Sequence, residues 1–284
     1  MAKALATNRP FVKFTGTTDE EVRLNGENVT FLADPGAKLT RSNNGLLLEI
    51  RGASQVRIFD LEISGASGAG NPGISMPTGN TATVSLSRVT ISNNTGGGIS
   101  ASAGTLTVSQ STISNNAGGG ISISNSSFDI TNSFIVGNGG AATAFGGVRL
   151  DQTNAGTRRF EFNTVSNNVG ALGTSTGVVC TLVTQALTLS NNIVFDNQIG
   201  GGRSQVGGVN CAWTFSDIGP DTVTGTGNIN ADPLFVNVVQ GNFHIQSASP
   251  AKNAADPAAT LSVDFDGDAR PQGGRRDMGA DEAM

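Results

Sequence analysis

The fold of this chain is decided by a repeated segment between residues 90 and 122. It reads Thr90-Ile91-Ser92-Asn93-Asn94-Thr95-Gly96-Gly97-Gly98-Ile99-Ser100 and returns, 22 residues later, as Thr112-Ile113-Ser114-Asn115-Asn116-Ala117-Gly118-Gly119-Gly120-Ile121-Ser122. Between the copies lies the run Leu106-Thr107-Val108-Ser109. Each period therefore holds three short alternating apolar and polar runs separated by Asn, Gly and Ser, which is typical of strands joined by turns. Self-similarity at this period predicts a solenoid with three strands in each coil.

Composition supports strands and excludes several classes of partner. Gly accounts for 39 of 284 residues and charged residues for only 14 %, which argues against helix almost everywhere. The net charge of −5 and the pI of about 4.9 show no excess of basic residues that could bind phosphates, so we expect no nucleic-acid partner. No apolar run approaches the length of a transmembrane segment, and we expect no membrane insertion.

We expect one domain, because a solenoid grows by adding repeats and its length therefore does not indicate the number of domains. Residues 1–21 are predicted to cap the first coil, 22–216 to form the coils and 217–284 to form an irregular C-terminal cap. Residues 1–10 lack the pattern of a signal peptide. We expect that a leader has been removed and that the protein is secreted or displayed at the cell surface.

Aligning the coils on their Gly-Ile or Gly-Val starts predicts two inward-facing columns. The first contains Ile74, Ile99, Ile121, Val148, Val178 and Val209; the second contains Met76, Ala101, Ile123, Leu150, Cys180 and Cys211. The two cysteines would then be neighbours at one strand spacing of roughly 4.8 Å, within reach of a disulfide. Two buried thiols are the alternative.

A third column lies in a turn and consists of asparagines. Its members are Asn94, Asn116, Asn138, Asn168 and Asn197. Stacked Asn side chains satisfy one another and the turn backbone, so we assign this column a structural role and no chemistry.

The repeats and the C-terminal region resemble a known family. The Thr-Ile-Ser-Asn-Asn and Gly-Gly-Gly-Ile-Ser segments are similar to repeats of the pectate-lyase-like superfamily. The tail is similar to the C-terminal region of bacterial secreted proteins often labelled choice-of-anchor proteins, through the segments 228–235, 249–254, 266–271 and 277–282. The resemblance implies an all-β fold, a single-stranded right-handed parallel β-helix of three sheets with about 22 or more residues per coil. It does not decide function, because this fold carries lyases, hydrolases, epimerases, phage tailspikes and passive surface proteins.

Candidate chemistry is concentrated where the repeat breaks, from Asp129 to about residue 203. There the turn loops lengthen, at 139–147 and 169–177, and loops stacked at one turn position would form a wall beside a sheet. Asp129 and Glu161 lie between apolar inward pairs and are predicted to project from one sheet on adjacent coils. With Asp151 they are the candidate catalytic residues, since neighbouring carboxylates can supply the acid and base of glycoside hydrolysis.

Three arginines near these carboxylates are candidate substrate-binding residues. Arg149, Arg158 and Arg159 could bind the carboxylates of a uronate polymer. The alternative is that all six side chains form ordinary solvated ion pairs. Sequence signatures of polygalacturonases, pectate lyases and alginate epimerases are absent, and the single histidine, His244, is expected to be structural.

The tail offers one candidate cation site. Asp264, Asp266 and Asp268 have the spacing that begins a calcium loop, with Gly267 in the turn, although the remaining ligands of a twelve-residue loop are absent. The prediction is therefore no cofactor or Ca²⁺. The same aspartates could instead cap turns or pair with Arg270, Arg275 and Arg276.

Two functional hypotheses follow from the sequence. The first is an extracellular carbohydrate-active protein that binds a polysaccharide and cleaves it as a lyase or glycoside hydrolase. The second is a non-catalytic surface or structural β-helix with an adhesive role. An ice-binding array of threonines is disfavoured, because Phe134 interrupts the column begun by Thr90 and Thr112. No feature indicates an oligomeric state.

Overall fold

Short strands wind through three parallel sheets in turn, one strand per sheet in each coil, in a right-handed β-solenoid. The computed structural model describes residues 10–68, 70–151, 156–171, 176–181, 183–199, 202–203 and 205–283. Coils average about 26 residues. In the described part of the chain the one helical element is the 3₁₀ turn Val238–Gln240, and no helix there has the length and apolar character needed to cross a membrane.

The three sheets, called A, B and C in the order in which the chain first enters them, contain nine, nine and eight strands. Sheet A consists of Phe11–Phe14, Asn28–Ala33, Gln55–Phe59, Thr83–Ser87, Thr105–Ser109, Ser127–Thr131, Arg158–Glu161, Leu187–Ser190 and Cys211–Thr214. Sheet B consists of Thr17–Asp19, Lys38–Thr40, Glu62–Ser64, Thr90–Ser92, Thr112–Ser114, Phe134–Val136, Thr164–Ser166, Ile193–Phe195 and Asp217–Gly219. Sheet C consists of Val22–Asn25, Leu48–Arg51, Ile74–Met76, Ile99–Ala101, Ile121–Ser124, Val148–Asp151, Val178–Thr181 and Val206–Gly208.

Alternation along each strand builds the core. In the run predicted from the repeat, Leu106 and Val108 are fully buried while Thr105, Thr107 and Ser109 lie on the outer side. Parallel pairing places Val84, Leu106 and Phe128 in one column. Inward columns from the three sheets merge into one apolar core that runs along the solenoid axis.

The two asparagines of each perfect repeat have different structural roles. Asn93 and Asn115 adopt left-handed backbone with φ of 56° and 54°, which Asn tolerates better than most residues. The following residues, Asn94 and Asn116, are buried, and Asn94 Nδ2 donates to Asn116 Oδ1 at 2.9 Å. The ladder continues through Asn138, Asn168 and Asn197 to Gln205, with side-chain distances between 2.8 and 3.0 Å.

The coils extend further toward both ends than the sequence predicts. Residues 11–14 and 17–19, expected in the N-terminal cap, are the first strands of sheets A and B. The rest of that predicted cap, residues 1–9, lies outside the described residues. At the other end Asp217–Gly219 is the last strand of sheet B. Coil length also varies, since successive ladder asparagines are separated by 22, 22, 30 and 29 residues.

The predicted inward column is wrong at its last member. Val206, not Val209, pairs with Val178, and Val209 is 59 % exposed. The last sheet C strand ends at Gly208, where an added Cβ would lie 1.8 Å from the carbonyl oxygen of Cys180, so only glycine fits.

The chain then turns into sheet A, where Cys211 pairs with Leu187. From there Cys211 forms a disulfide with Cys180 in sheet C, with a Cα–Cα distance of 6.3 Å. Of the two alternatives for the cysteines, the structure contains the disulfide, although Cys211 reaches Cys180 from a neighbouring sheet and not from the same column.

The C-terminal region folds back along the side of the solenoid. After Ile229 bridges to Asp217 at the open end, the antiparallel strands Phe235–Asn237 and Asn242–Ile245 lead into an irregular segment that packs on sheet B. Ala280 N donates to Thr164 Oγ1 at 3.0 Å, and Gln110 Nε2 donates to the carbonyl of Asp264 at 2.9 Å. The predicted end cap is therefore mainly a lateral cover, because the outer face of sheet B carries apolar residues that need burial.

A buried ion pair holds this cover together. Arg270 Nη1 lies 2.9 Å from Glu282 Oε2, and both side chains are inaccessible to solvent. The guanidinium stacks 4.7 Å from the ring centroid of Phe162 and donates to the carbonyls of Asp277 and Gly279. The tail segments that resemble the secreted β-helix proteins thus fasten the tail to the solenoid.

Candidate functional site

The outer face of sheet A changes from hydroxyl to charged residues at the coil of Asp129. One outward column runs from Arg57 through Ser85 and Thr107 to Asp129 and Arg159. The two coils before Asp129 present only Ser and Thr in their outward positions on this sheet, Thr83, Ser85 and Ser87 and then Thr105, Thr107 and Ser109. A change of chemistry along a regular column marks a candidate site.

Asp129 and Glu161 do not occupy equivalent positions, contrary to the prediction. Asp129 pairs with Arg159, and Glu161 pairs with Thr131 and Ser190. The inward partner of Ile130 is Phe160, while Phe162 has a φ of 54° and has already left the strand. The pairing of Asp129 with Arg159 spans 30 residues, whereas the predicted pairing with Glu161 would span 32, so the two strands are displaced by two residues relative to the sequence alignment.

Asp129 and Arg159 form a bidentate ion pair. Arg159 Nε and Nη2 donate to the two carboxylate oxygens of Asp129, each at 2.7 Å. This fork geometry is the strongest arrangement of the two groups and raises the pKa of the Arg159 guanidinium. The pair holds the cationic side chain in a fixed position on the sheet, with 42 % of it accessible to solvent.

Glu161 is the half-buried acid of the site. Burial raises the pKa of its carboxyl, and the negative charges of Asp129 and Asp256 act in the same direction. Asn191 Nδ2 donates to Glu161 Oε1 at 2.8 Å, and this hydrogen bond and the charge of Arg159 lower the pKa in part. We call Asp129, Arg159, Glu161 and Asn191 the sheet A cluster.

The other three predicted residues lie outside this cluster. Arg149 and Asp151 are on sheet C, where Arg149 Nη2 donates to Asp151 Oδ2 at 2.7 Å. Arg158 donates to Gln185 Oε1 at 3.3 Å. Arg149–Asp151 and Arg159–Asp129 are thus separate ion pairs on different sheets.

The lengthened loops contact each other in the described residues, where Ala171 N donates to the Thr143 carbonyl at 2.8 Å. Gly139 bridges to Val169, which pairs with Gln198 in a small side sheet formed by 169–170, 198–199 and 202–203. Residues 152–155 and 172–175, which belong to the predicted loop region, lie outside the described residues.

The predicted calcium ligands do not converge. Asp264 is fully buried and accepts from the backbone N–H groups of Asp266, Asp268 and Glu282, so it caps a turn. Burial raises the pKa of Asp264, although the hydrogen bonds from Asp268 and Glu282 oppose the shift. Asp266 instead contacts His244 through its Oδ2, 2.9 Å from Nε2. This donor arrangement does not fit a calcium loop formed by the three aspartates.

The clefts between sheet B and the tail were not predicted from the sequence. One cavity of about 400 Å³ is lined by Thr112, Val136, Val238 and Phe243, and another of about 450 Å³ lies beside Phe195 and Phe235. Their walls combine Ser, Thr, Asn and Gln with Phe. Because the tail has no repeat, no sequence pattern could have predicted which strand it would cover.

This chain resembles known proteins both in its fold and in the sequence of its coils. The crystal structure of pectate lyase Pel9A superposes with a TM-score of 0.63 and 14 % sequence identity, covering 100 % of this chain and 90 % of that chain, which shows a shared fold. No curated protein gives a significant sequence match. The profile of the right-handed β-helix region matches residues 46–217, the stretch that carries the sheet A cluster. The chain therefore belongs to the right-handed β-helix family.

Proposed function

We propose that this protein is an extracellular carbohydrate-active β-helix protein that binds an acidic polysaccharide along sheet A. The observation that carries the proposal is the sheet A cluster, in which Arg159 is fixed by Asp129 beside the half-buried Glu161. A fixed guanidinium matches the carboxylate of a uronate residue better than a mobile one, since less side-chain entropy is lost on binding. The disulfide supports the extracellular assignment, because such bonds persist in oxidising compartments.

Cleavage of the bound polymer is assigned to Glu161. A carboxyl whose pKa is raised by burial stays protonated nearer to neutral pH and can donate a proton to a leaving oxygen. Asp129, on the neighbouring strand, is the second carboxylate that glycoside hydrolysis requires. A lyase reaction would instead draw on Arg159 to neutralise the uronate carboxylate.

A passive surface role is the second candidate function. Asp129 and Asp151 are each held by an arginine at 2.7 Å, as in ordinary structural ion pairs. Much of the remaining outer surface of sheet A carries Ser and Thr. These features favour a spacer or adhesive protein that performs no chemistry.

The test is a Glu161→Gln variant assayed against a panel of uronic and neutral polysaccharides. We expect binding of a uronic polymer to persist and turnover to fall by about 100-fold or more, the usual contribution of a general acid. The matched control is Glu62→Gln, which alters a carboxylate of sheet B paired with Lys38 at 2.8 Å and should leave turnover unchanged. Binding without turnover by the wild-type protein would favour the passive role, and absence of binding would overturn the proposal.

A further inference from the structure

Three segments of the tail bring ligand-type side chains together beside sheet B. His244 lies on the strand Asn242–Ile245, Asp266 in the turn that Asp264 caps, and Asp281 near the end of the tail. One ligand atom from each of the three lies within 4.8 Å of the other two. In the described part of the chain this is the one group of three or more His, Cys, Asp and Glu side chains with such spacing.

The imidazole is held in one orientation and one tautomer. Its ring packs edge-on against Phe134 at a centroid distance of 5.2 Å and against Phe265 at 6.0 Å. Nδ1 lies 2.7 Å from Asn242 Oδ1, and the same oxygen accepts from the backbone N–H of His244 at 3.1 Å. Asn242 Oδ1 is therefore an acceptor, and Nδ1 carries the proton.

The second ring nitrogen faces a carboxylate oxygen. Nε2 lies 2.9 Å from Asp266 Oδ2, and in an imidazole that carries a proton only on Nδ1 the Nε2 lone pair would meet an oxygen lone pair. A cation between the two atoms, either a proton or a metal ion, removes this repulsion. A histidine whose other nitrogen donates to a fixed oxygen is the usual arrangement of a metal ligand.

Asp281 completes the arrangement from the buried side. Its residue is only 6 % exposed, and Oδ2 accepts from Ile245 N at 2.8 Å, which fixes the carboxylate. Within the described residues no group donates a hydrogen bond to its other oxygen, Oδ1. Asp266 and His244 form the accessible side, with 48 % and 31 % of their side chains exposed, so an ion can enter from solvent.

We propose that His244, Asp266 and Asp281 bind a divalent transition-metal ion of the zinc type. One imidazole nitrogen and two carboxylate oxygens are donors that zinc takes at about 2.0 to 2.2 Å. The imidazole disfavours Ca²⁺ and Mg²⁺, which prefer oxygen ligands. Closing the donor set requires a small movement of Asp266, the most exposed of the three. The bound ion joins three segments of the tail and stabilises its packing on sheet B.

The experiment uses the full-length protein, freed of metal with EDTA and titrated with Zn²⁺. Because His244 is the only histidine, its ring nitrogens give the only imidazole signals in a ¹⁵N NMR spectrum. We expect saturable binding of one equivalent by calorimetry, a shift of the Nε2 resonance, and a Tm that rises with Zn²⁺ concentration as mass action requires. Ca²⁺ at the same concentration should produce none of these effects.

Variants distinguish this site from other acidic groups. His244→Gln should abolish Zn²⁺ binding, and Asp266→Asn should weaken it at least 10-fold. Asp268→Asn, which alters an exposed carboxylate of the same turn, is the matched control and should bind as the wild type does. The Tm of each variant in EDTA shows whether it is folded.

Two results would overturn the proposal. One is unchanged Zn²⁺ affinity in folded His244→Gln. The other is a wild-type Nε2 resonance that responds to pH but not to millimolar Zn²⁺, which would mean that a proton alone bridges His244 and Asp266.

Discussion

At the scale of single residues, the Asn-Asn pair of the repeat combines a backbone role with a side-chain role. Asn115 supplies left-handed backbone at the surface, whereas Asn116 is fully buried. The Oδ1 of Asn116 accepts from the N–H and Nδ2 of Asn94, and its Nδ2 donates to the Ile91 carbonyl and to Asn138 Oδ1. The two neighbours should therefore respond differently to mutation.

We predict that Asn116→Ala lowers the free energy of unfolding by about 3 to 5 kcal/mol, because it leaves several buried polar groups unpaired. Asn115→Gly should change it by less than about 1 kcal/mol, since glycine accepts the same φ. Chemical denaturation of both variants measures the difference. Equal effects at the two positions would contradict the separation of roles.

The buried carboxyl of Asp217 should make the stability of the protein depend on pH. It is fully buried in the last strand of sheet B, and burial raises its pKa to about 7 from 3.8. Between these values the folded state keeps a proton that the unfolded state has lost. The stabilisation is complete below the unfolded pKa and is lost as the pH rises through the folded pKa, by up to about 4 kcal/mol.

Asp217→Asn should therefore reduce the loss of stability between about pH 4 and about pH 8. Denaturation curves across this range provide the measurement. Asp34→Asn, a change to a partly exposed carboxylate paired with Lys13, is the control and should keep the wild-type slope. An unaltered slope in Asp217→Asn would show that this carboxyl is ionised in the folded state.

At the scale of strands and coils, sequence reasoning succeeds where coils have equal length. Ile99 pairs with Ile121, and Thr90 with Thr112, as the 22-residue shift predicts. Sequence reasoning fails where insertions change the coil length. The alternation of apolar and polar residues repeats every two residues, so it does not determine which residues of neighbouring coils pair. Glu161 was misplaced by two residues for this reason. Val209 was misplaced by three, because the last strand of sheet C starts at Val206, before the Gly207-Gly208 pair and not after it. Asp129 faces outward from its strand, as predicted.

The disulfide is the covalent link between two elements at the irregular end of the solenoid. It joins Cys180 of sheet C to Cys211 of sheet A across 31 residues of sequence. Reduction should lower the free energy of unfolding by about 3.7 kcal/mol, the effect expected for a loop of this length. Denaturation with and without a reductant measures it.

A Cys180→Ala, Cys211→Ala double variant is the control for this experiment, since its stability should not depend on the reductant. A thiol titration of the unfolded wild-type protein under non-reducing conditions should detect no free thiol. Two free thiols would contradict the link and weaken the extracellular assignment.

At the scale of the whole molecule, the packing of the tail determines which parts of the solenoid surface are covered and which are exposed. The tail buries Phe134, Thr164 and Ile193 on the outer face of sheet B, whereas Thr90, the first member of the column considered for ice binding, stays exposed. This arrangement was not predictable, because the tail lacks the periodicity that specifies the coils. Arg159 and Asp129 of the sheet A cluster remain accessible to solvent, and the cluster lies where the regular repeat breaks.

The central claim is that an acidic polysaccharide binds at the sheet A cluster. It is tested most directly by measuring the affinity of a uronic polysaccharide for Arg159→Gln and for Arg57→Gln, which removes the other arginine of the same outward column. We predict that Arg159→Gln weakens binding at least 10-fold, in line with the loss of a charge-assisted contact, while Arg57→Gln binds like the wild type. Equal affinities of all three proteins would contradict it.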